Sequence, residues 1–177
     1  RDYWMARIPD MPGAPELPVQ DKPAAQAPVT FSRHAMTLSS AQWHAFCRLA
    51  AERRTTPTCA ILAAFADTIG RWSRHPDYCL NLTVLNRPAI HPEIDRIIGD
   101  FTSTSVLQIR PQEKSRFTER AAQLQQQLWE DMEHAAFSGI EVLREMGRDR
   151  QQRDFILPIV FTSTLGMQPM SAETDAD

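Results

Sequence analysis

The sequence predicts an α/β layer fold, a mixed β-sheet covered by helices, and three observations carry that prediction. Segments rich in β-formers recur at residues 29–38, 78–85, 103–109 and 156–165. Between them lie segments whose apolar residues fall at helical spacing, two of them opened by helix-start signals. The apolar stripes of these helices are narrow, so the helices should cover one or both faces of a sheet and turn their polar sides to water.

Taken in order, residues 29–38 read as a first strand, with Val29, Phe31 and Arg33 on one face. Ser39-x-x-Gln42 is a capping box, after which Trp43, Phe46, Cys47 and Ala50 fall at i, i+3, i+4 and i+7. Thr56-Pro57 supplies an N-cap followed by proline at the first helical position, and Leu62, Phe65, Ile69 and Trp72 continue as a stripe. Residues 78–85 (YCLNLTVL) and 103–109 (STSVLQI) read as strands. The longest helix is expected over 117–136, with Phe117, Ala121, Leu124, Leu128, Met132 and Ala135 on one side. A shorter helix over 140–146 follows Gly139, and 156–165 (ILPIVFTSTL) is the last strand.

Composition narrows the function classes. A chain of 177 residues fits one globular domain and is long enough to bury a core. The net charge of −3 gives no general electrostatic reason to bind nucleic acid or an anionic membrane. No apolar run approaches the roughly 18–20 residues that a membrane span needs. Residues 1–7 lack the apolar core and small-residue cleavage site of a secretory signal, and the expectation is a soluble cytoplasmic domain. The chain opens on Arg1, not Met, so further residues are expected before it. Cys47, Cys59 and Cys79 form no CxxC and suggest neither a disulfide framework nor a zinc site.

Six of the thirteen prolines (Pro9, Pro12, Pro15, Pro18, Pro23 and Pro28) crowd into one stretch, where helix interior and central strand are both excluded. Interspersed Ile8, Met11, Leu17 and Val19 make that stretch a strap lying on a surface rather than a free linker. The final residues, MSAETDAD, are small and acidic and are expected to be poorly ordered.

Most catalytic signatures are absent. There is no GxGxxG, phosphate loop, GxSxG or HExxH, and no His pair at metal-ligand spacing, so no metal site is expected. His91-x-x-x-Asp95 superficially matches the HxxxDG of CoA-dependent and condensation-type acyltransferases. Arg96 stands where Gly is required and a proline follows His91, so it reads as a surface histidine in a turn. Three polar clusters remain. Residues 81–87 (NLTVLNR) put Asn81 and Asn86 into an apolar strand, on opposite faces by alternation. Residues 99–105 (GDFTSTS) load Asp100, Thr102 and further hydroxyls at a strand entrance, and 161–164 (FTST) do the same with Thr162 and Ser163. Such hydroxyls either pair across strands or line a polar channel, and residue chemistry alone leaves both readings open. Asp100, after a glycine, could equally bond the backbone of its own turn.

These clusters also carry a resemblance. The sequence resembles the C-terminal half of the heterocyclization domains of nonribosomal peptide synthetases, variants of condensation domains that make thiazoline and oxazoline rings. The opening DYWMARIPDMPGAPELPV is similar to the family's Tyr-Trp, Arg and proline-spaced motif. Thr56-Pro57 through Leu62 to Trp72-Ser73 resembles its TP…L…WS helix, and residues 81–87 its NLTxxNR strand. Residues 99–102 match GDFT, with Ser-Thr-Ser following where a more apolar run is common. Residues 158–163 (PIVFTS) are close to PVVFTS, and LWEDMEHAAFSGIEVLREM is also typical.

The resemblance implies a chloramphenicol-acetyltransferase-like architecture, two lobes around a tunnel, of which this chain would be the second. Residues 1–28 would be an opening helix and inter-lobe strap, 29–170 the C-terminal lobe and 171–177 a disordered acidic tail. It implies condensation of an acyl thioester with carrier-bound Cys (or Ser/Thr), followed by cyclodehydration. Thr162 would be catalytic, the hydroxyl partner of an Asp in a motif downstream of this chain. Asn81, Asn86, Asp100, Thr102 and Ser163 would line or shape the tunnel. No cofactor would be bound directly; phosphopantetheine would arrive on upstream and downstream peptidyl carrier domains. The remaining partners would be the missing N-terminal lobe, whose DxxxxDxxS motif is not in this chain, and an adenylation domain in cis. A non-catalytic lobe that docks carrier proteins is the alternative. A free-standing CoA acyltransferase would need the His-dependent motif that is missing.

Overall fold

Alternation along one strand, Tyr78–Leu85 (β1), organises two separate apolar cores. The computed structural model describes residues 1–18, 30–87, 90–110 and 114–165, apart from the side chain at 95. In chain order the elements are α1 (Asp2–Arg7), α2 (Ser40–Glu52), α3 (Pro57–Trp72), β1, β2 (Thr102–Ile109), α4 (Phe117–Glu133), α5 (Gly139–Asp149) and β3 (Val160–Thr162). Short 3-10 turns lie at Ile8–Asp10 and Ile94–Arg96. The sheet is mixed, with order β2-β1-β3. β1 runs antiparallel to β2 and parallel to β3.

On one face Tyr78, Leu80, Leu82 and Leu107 pack against Leu62 and Ala66 of α3, with Leu124 and Leu128 of α4 partly buried at the margin. On the other, Cys79 and Val106 pack against Trp4, Ile8, Met11, Leu157, and Val142 and Met146 of α5. Each fully buried large apolar side chain contributes about 1.5–3 kcal/mol relative to exposure. The helices therefore cover both faces.

Local signals set the helix starts. Ser39 and Gln42 form the expected capping box, and the Thr56 hydroxyl accepts from the Cys59 N–H at 3.2 Å with Pro57 behind it. α5 is capped by Ser138, whose N–H donates to Glu141 Oε2 at 2.8 Å, so this helix is longer at both ends than the 140–146 expected. Gln125 ties α4 to the α2–α3 turn: its Oε1 accepts from Thr56 N–H at 2.7 Å and its Nε2 donates to the Arg54 carbonyl at 3.0 Å.

The N-terminal segment is clasped to the lobe. Tyr3 OH donates to Asp131 Oδ1 at 2.6 Å, Arg7 pairs with the same carboxylate, and Asp131 is 1% exposed. Trp4 Nε1 donates to the His134 carbonyl at 3.2 Å, while the Tyr3 ring stacks on His134. Burial pushes the Asp131 carboxyl above its ordinary range, against the opposing pull of Tyr3 and Arg7. Beyond the clasp, the Gly13 carbonyl accepts from Cys79 N–H at 2.7 Å and the Glu16 carbonyl from Arg74 N–H at 2.9 Å. The strap thus occupies the edge of β1 beyond the reach of β3. Its continuation through 19–29 lies outside the described residues, as does the tail from 166.

Three expectations are corrected. Residues 30–38 form no strand, and Val29 lies outside the described residues. Phe31 is 95% exposed, and among the described residues no backbone segment pairs with this stretch to complete a ladder. The last strand shrinks from 156–165 to Val160–Thr162. Pro158 has no N–H to give, and buried Leu157 is drawn into the core shared with Trp4. α4 ends at Glu133, short of 136, and Trp72, Phe117 and Met132, placed on apolar stripes, lie at helix ends and are exposed.

Two substitutions test this packing. Arg7→Met leaves the Asp131 carboxylate buried without its charge partner and should cost about 3–5 kcal/mol in denaturant unfolding, with part regained in Arg7→Met/Asp131→Asn. A Cβ at Gly139 would lie 2.5 Å from the Thr104 carbonyl oxygen, so Gly139→Ala should destabilise by about 1–3 kcal/mol in the same assay.

Candidate functional site

The sheet changes character along its length. β1 is buried over its first residues and opens toward Leu85, while antiparallel β2 is exposed at Thr102 and buried from Ser105 onward. The apolar ends coincide, and so do the polar ends. Register then sets three threonines side by side: Thr83 lies opposite Thr104 on β2 and Thr162 on β3. Thr162 Oγ1 donates to Thr83 Oγ1 at 2.8 Å.

A cleft of about 540 Å³ opens at this end. Leu62, Leu82, Leu128 and Phe161 give it an apolar floor, and Thr83, Thr102, Thr162 and Ser163 lie along its rim, where alternation turns the Thr83 and Thr162 side chains to the sheet face opposite that floor. It is large enough for a substrate arm and its floor favours an acyl or side-chain methylene surface.

The structure gathers three of the six residues singled out from sequence. Thr162 is exposed in the cleft, and Thr102 and Ser163 also line it. Ser163 Oγ accepts from Leu165 N–H at 3.3 Å, which holds the turn after β3. Asn81 sits one pair deeper on the face that carries Thr83; its Oδ1 is buried and has no hydrogen-bond partner among the described residues. Asn86 and Asp100 lie outside the lining; Asn86 extends the β1–β2 pairing through its backbone, and Asp100 holds the turn before β2. Asn86 N–H donates to the Phe101 carbonyl at 2.9 Å, and Asp100 Oδ1 accepts from Thr102 N–H at 2.8 Å. The backbone N–H and then the hydroxyl of Thr102 hold the Asp100 carboxyl below its ordinary range. Arg87 covers the Phe101 ring at 4.0 Å from its centroid and donates to the Ile94 carbonyl at 2.8 Å. The NLTVLNR and GDFT segments are therefore one structural unit at the cleft's edge.

Thr83 was not singled out from sequence, although alternation already put it on the face of Asn81. What alternation could not supply was the register that brings Thr162 beside it. His91 behaves as a turn residue: it is exposed and its Nδ1 accepts from Glu93 N–H at 3.1 Å. Among the described residues no group of three His, Cys, Asp or Glu side chains could hold a metal ion, and no helix is long and apolar enough to cross a membrane.

Comparison with known proteins places this geometry. The family model of the condensation domain matches residues 1–176. Pyochelin synthetase PchF of Pseudomonas aeruginosa is 42% identical over 166 residues, covering 94% of this chain and 9% of PchF. Phenyloxazoline synthase MbtB of Mycobacterium sp. is 34% identical over 172 residues, covering 97% of this chain and 15% of MbtB. The EpoB NRPS cyclization-docking bidomain from Sorangium cellulosum superposes with a TM-score of 0.81 at 39% identity, over 93% of this chain and 34% of the bidomain chain. The first condensation domain of the CDA synthetase shares the fold at 17% identity, with a TM-score of 0.68 over 90% of this chain and 33% of its own. This chain thus spans about a tenth of the length of PchF and a third of the EpoB chain. The mixed sheet with helices is the chloramphenicol-acetyltransferase-like fold of these structures. The chain belongs to the condensation domain family, among its heterocyclization members from nonribosomal peptide synthetases.

Proposed function

We propose that this chain is the C-terminal lobe of a heterocyclization domain, and that the assembled domain condenses an acyl thioester with a carrier-bound Cys, Ser or Thr and then cyclodehydrates the product. The observation that carries this reading is the exposed Thr162 residue, whose hydroxyl is hydrogen-bonded to Thr83 at the polar end of the sheet, on the rim of an apolar-floored cleft. The relatives' names point the same way, pyochelin synthetase and phenyloxazoline synthase among them. The partners in this reading are the N-terminal lobe, an adenylation domain in cis, and upstream and downstream peptidyl carriers whose phosphopantetheine arms deliver the substrates.

With Cys as nucleophile, the chemistry runs in three stages. The amine attacks the acyl thioester carbonyl: a C–N bond forms, the C–S bond breaks, and the donor arm leaves as a thiol carrying the amine's proton. The Cys thiol then adds to the new amide carbonyl, forming a C–S bond and passing its proton to oxygen to give a hydroxyl-bearing hemiaminal. Finally the C–O bond breaks as that hydroxyl takes up a proton and leaves as water, nitrogen gives up its hydrogen, and the C=N bond of the thiazoline forms.

The last stage needs one proton delivered and one removed. The Thr162 hydroxyl is far too weak an acid for its alkoxide to serve as a base. Its role is to position or relay a proton between the hemiaminal and a carboxylate supplied from outside this chain. Thr102 and Ser163 present further hydroxyls to the substrate, Asn81 supports the wall behind them, and Asn86 and Asp100 fix the backbone at the cleft's edge.

In the full-length synthetase carrying this segment, Thr162→Ala should lower ring formation by about 10²–10⁴-fold while linear amide continues to form. Mass spectrometry of the carrier-bound products reads both; wild-type cyclisation in this variant would overturn the role given to Thr162.

A further inference from the structure

We propose that Thr83 is a positioning residue for cyclodehydration, acting through Thr162 by fixing where the Thr162 hydroxyl points; this rests on the reading of Thr162 given above. Thr162 lies on a three-residue strand at the margin of the sheet, exposed at the rim of the cleft. Its hydroxyl has one hydrogen, and among the described residues its hydrogen bond is to Thr83 Oγ1 at 2.8 Å. Thr83, by contrast, sits on the central strand, bonded on both sides. A β-branched side chain on such a strand has little freedom at χ1. The rigid partner therefore aims the exposed one.

The bond also controls what Thr162 can offer. While Thr162 donates to Thr83, its exposed oxygen is free to accept from substrate. If the bond reverses, Thr83 donates and the Thr162 hydrogen is free to point at a departing hydroxyl. Both hydroxyls are rotors, so reversal moves hydrogens and no heavy atom.

Thr83 has a second threonine neighbour across the sheet. Cys79 and Asn81 send their N–H groups toward the strap and the β3 side, to Gly13 and Ile159. By alternation Thr83 does the same, so Thr83 and Thr104 are a non-hydrogen-bonded antiparallel pair, the kind whose side chains lie closest. Thr104 Oγ1 is buried and has no partner among the described residues. It is held from behind by the start of α5, where a Cβ on Gly139 would lie 2.8 Å from this very oxygen. Thr104, Thr83 and Thr162 thus lie in register across the sheet with Thr83 at the centre, and of the three hydroxyls Thr83 and Thr162 are the hydrogen-bonded pair.

The alternative is an ordinary Thr–Thr pair that only steadies the sheet. In the full-length synthetase, Thr83→Val keeps the shape and removes the hydroxyl, and Thr83→Ser keeps the hydroxyl. Single-turnover rates of amide formation and of ring formation are read separately by mass spectrometry, in otherwise wild-type protein and in Thr162→Val. We expect Thr83→Val to slow ring formation by about tenfold with amide formation unchanged, Thr83→Ser to restore it, and Thr83→Val to add nothing in Thr162→Val. Unchanged ring formation in Thr83→Val, an equal loss of both steps, failure of Thr83→Ser to restore, or a further loss in Thr162→Val would each overturn the proposal. Should Thr83→Val fail to fold, Thr83→Ala against Thr83→Ser makes the same comparison. If Thr162→Val itself cyclises normally, the reading of Thr162 falls; if only Thr83→Val does, that reading stands and the positioning role falls.

Discussion

β1 is hydrogen-bonded along both edges and packed on both faces, and the rest of the structure depends on that enclosure. Tyr78, Leu80 and Leu82 must face α3 and α4, and Cys79 must face Trp4 and α5, so a slip of one residue would exchange the two cores. The same alternation that fixes the cores sends Asn81 and Thr83 to the α1–α5 side. Because β2 is antiparallel, its polar entrance lies beside the polar exit of β1. A hydroxyl-lined end is therefore a consequence of the pairing that builds the interior.

The N-terminal segment completes this enclosure. Trp4, Ile8 and Met11 supply a large part of the core on the α5 side, and Gly13 takes up a β1 N–H that β3 does not reach. The buried Asp131 is tolerable because Tyr3 and Arg7 meet it, and those same contacts fix where the segment leaves the lobe. Residues far from the cleft thereby hold the strand that presents Thr83. In this fold the strap and the site are mechanically continuous.

Much of this was legible in the residues. Capping chemistry is local, so Ser39-x-x-Gln42 and Thr56-Pro57 marked helix starts without knowledge of the fold. β1 and β2 were legible because their β-formers coincide with real partners. Residues 30–38 have comparable propensity, but propensity cannot supply a neighbouring strand. The last strand was overestimated because an apolar run does not say which residues join a ladder and which, like Leu157, turn into a core. At the site, Thr162 and Ser163, like Asn86 and Asp100, are legible through their motifs, but a motif does not say that Asn86 extends the β1–β2 pairing through its backbone or that Asp100 holds the turn before Thr102. The Thr83–Thr162 contact joins residues 79 positions apart across a parallel pairing, and nothing short of the register reveals it.

In the proposed reading the cleft is one wall of a larger site, with hydroxyls at its rim, apolar carbon at its floor and a carboxylate supplied by another part of the synthetase. That division suits a domain in which proton transfer at a hemiaminal is assembled from two lobes. The most direct test of the account is the mass of the carrier-bound product made by the full-length synthetase containing this segment. A condensed product lighter by one water than the linear amide is predicted; linear amide as the sole product, with the upstream acyl group fully transferred, would contradict it.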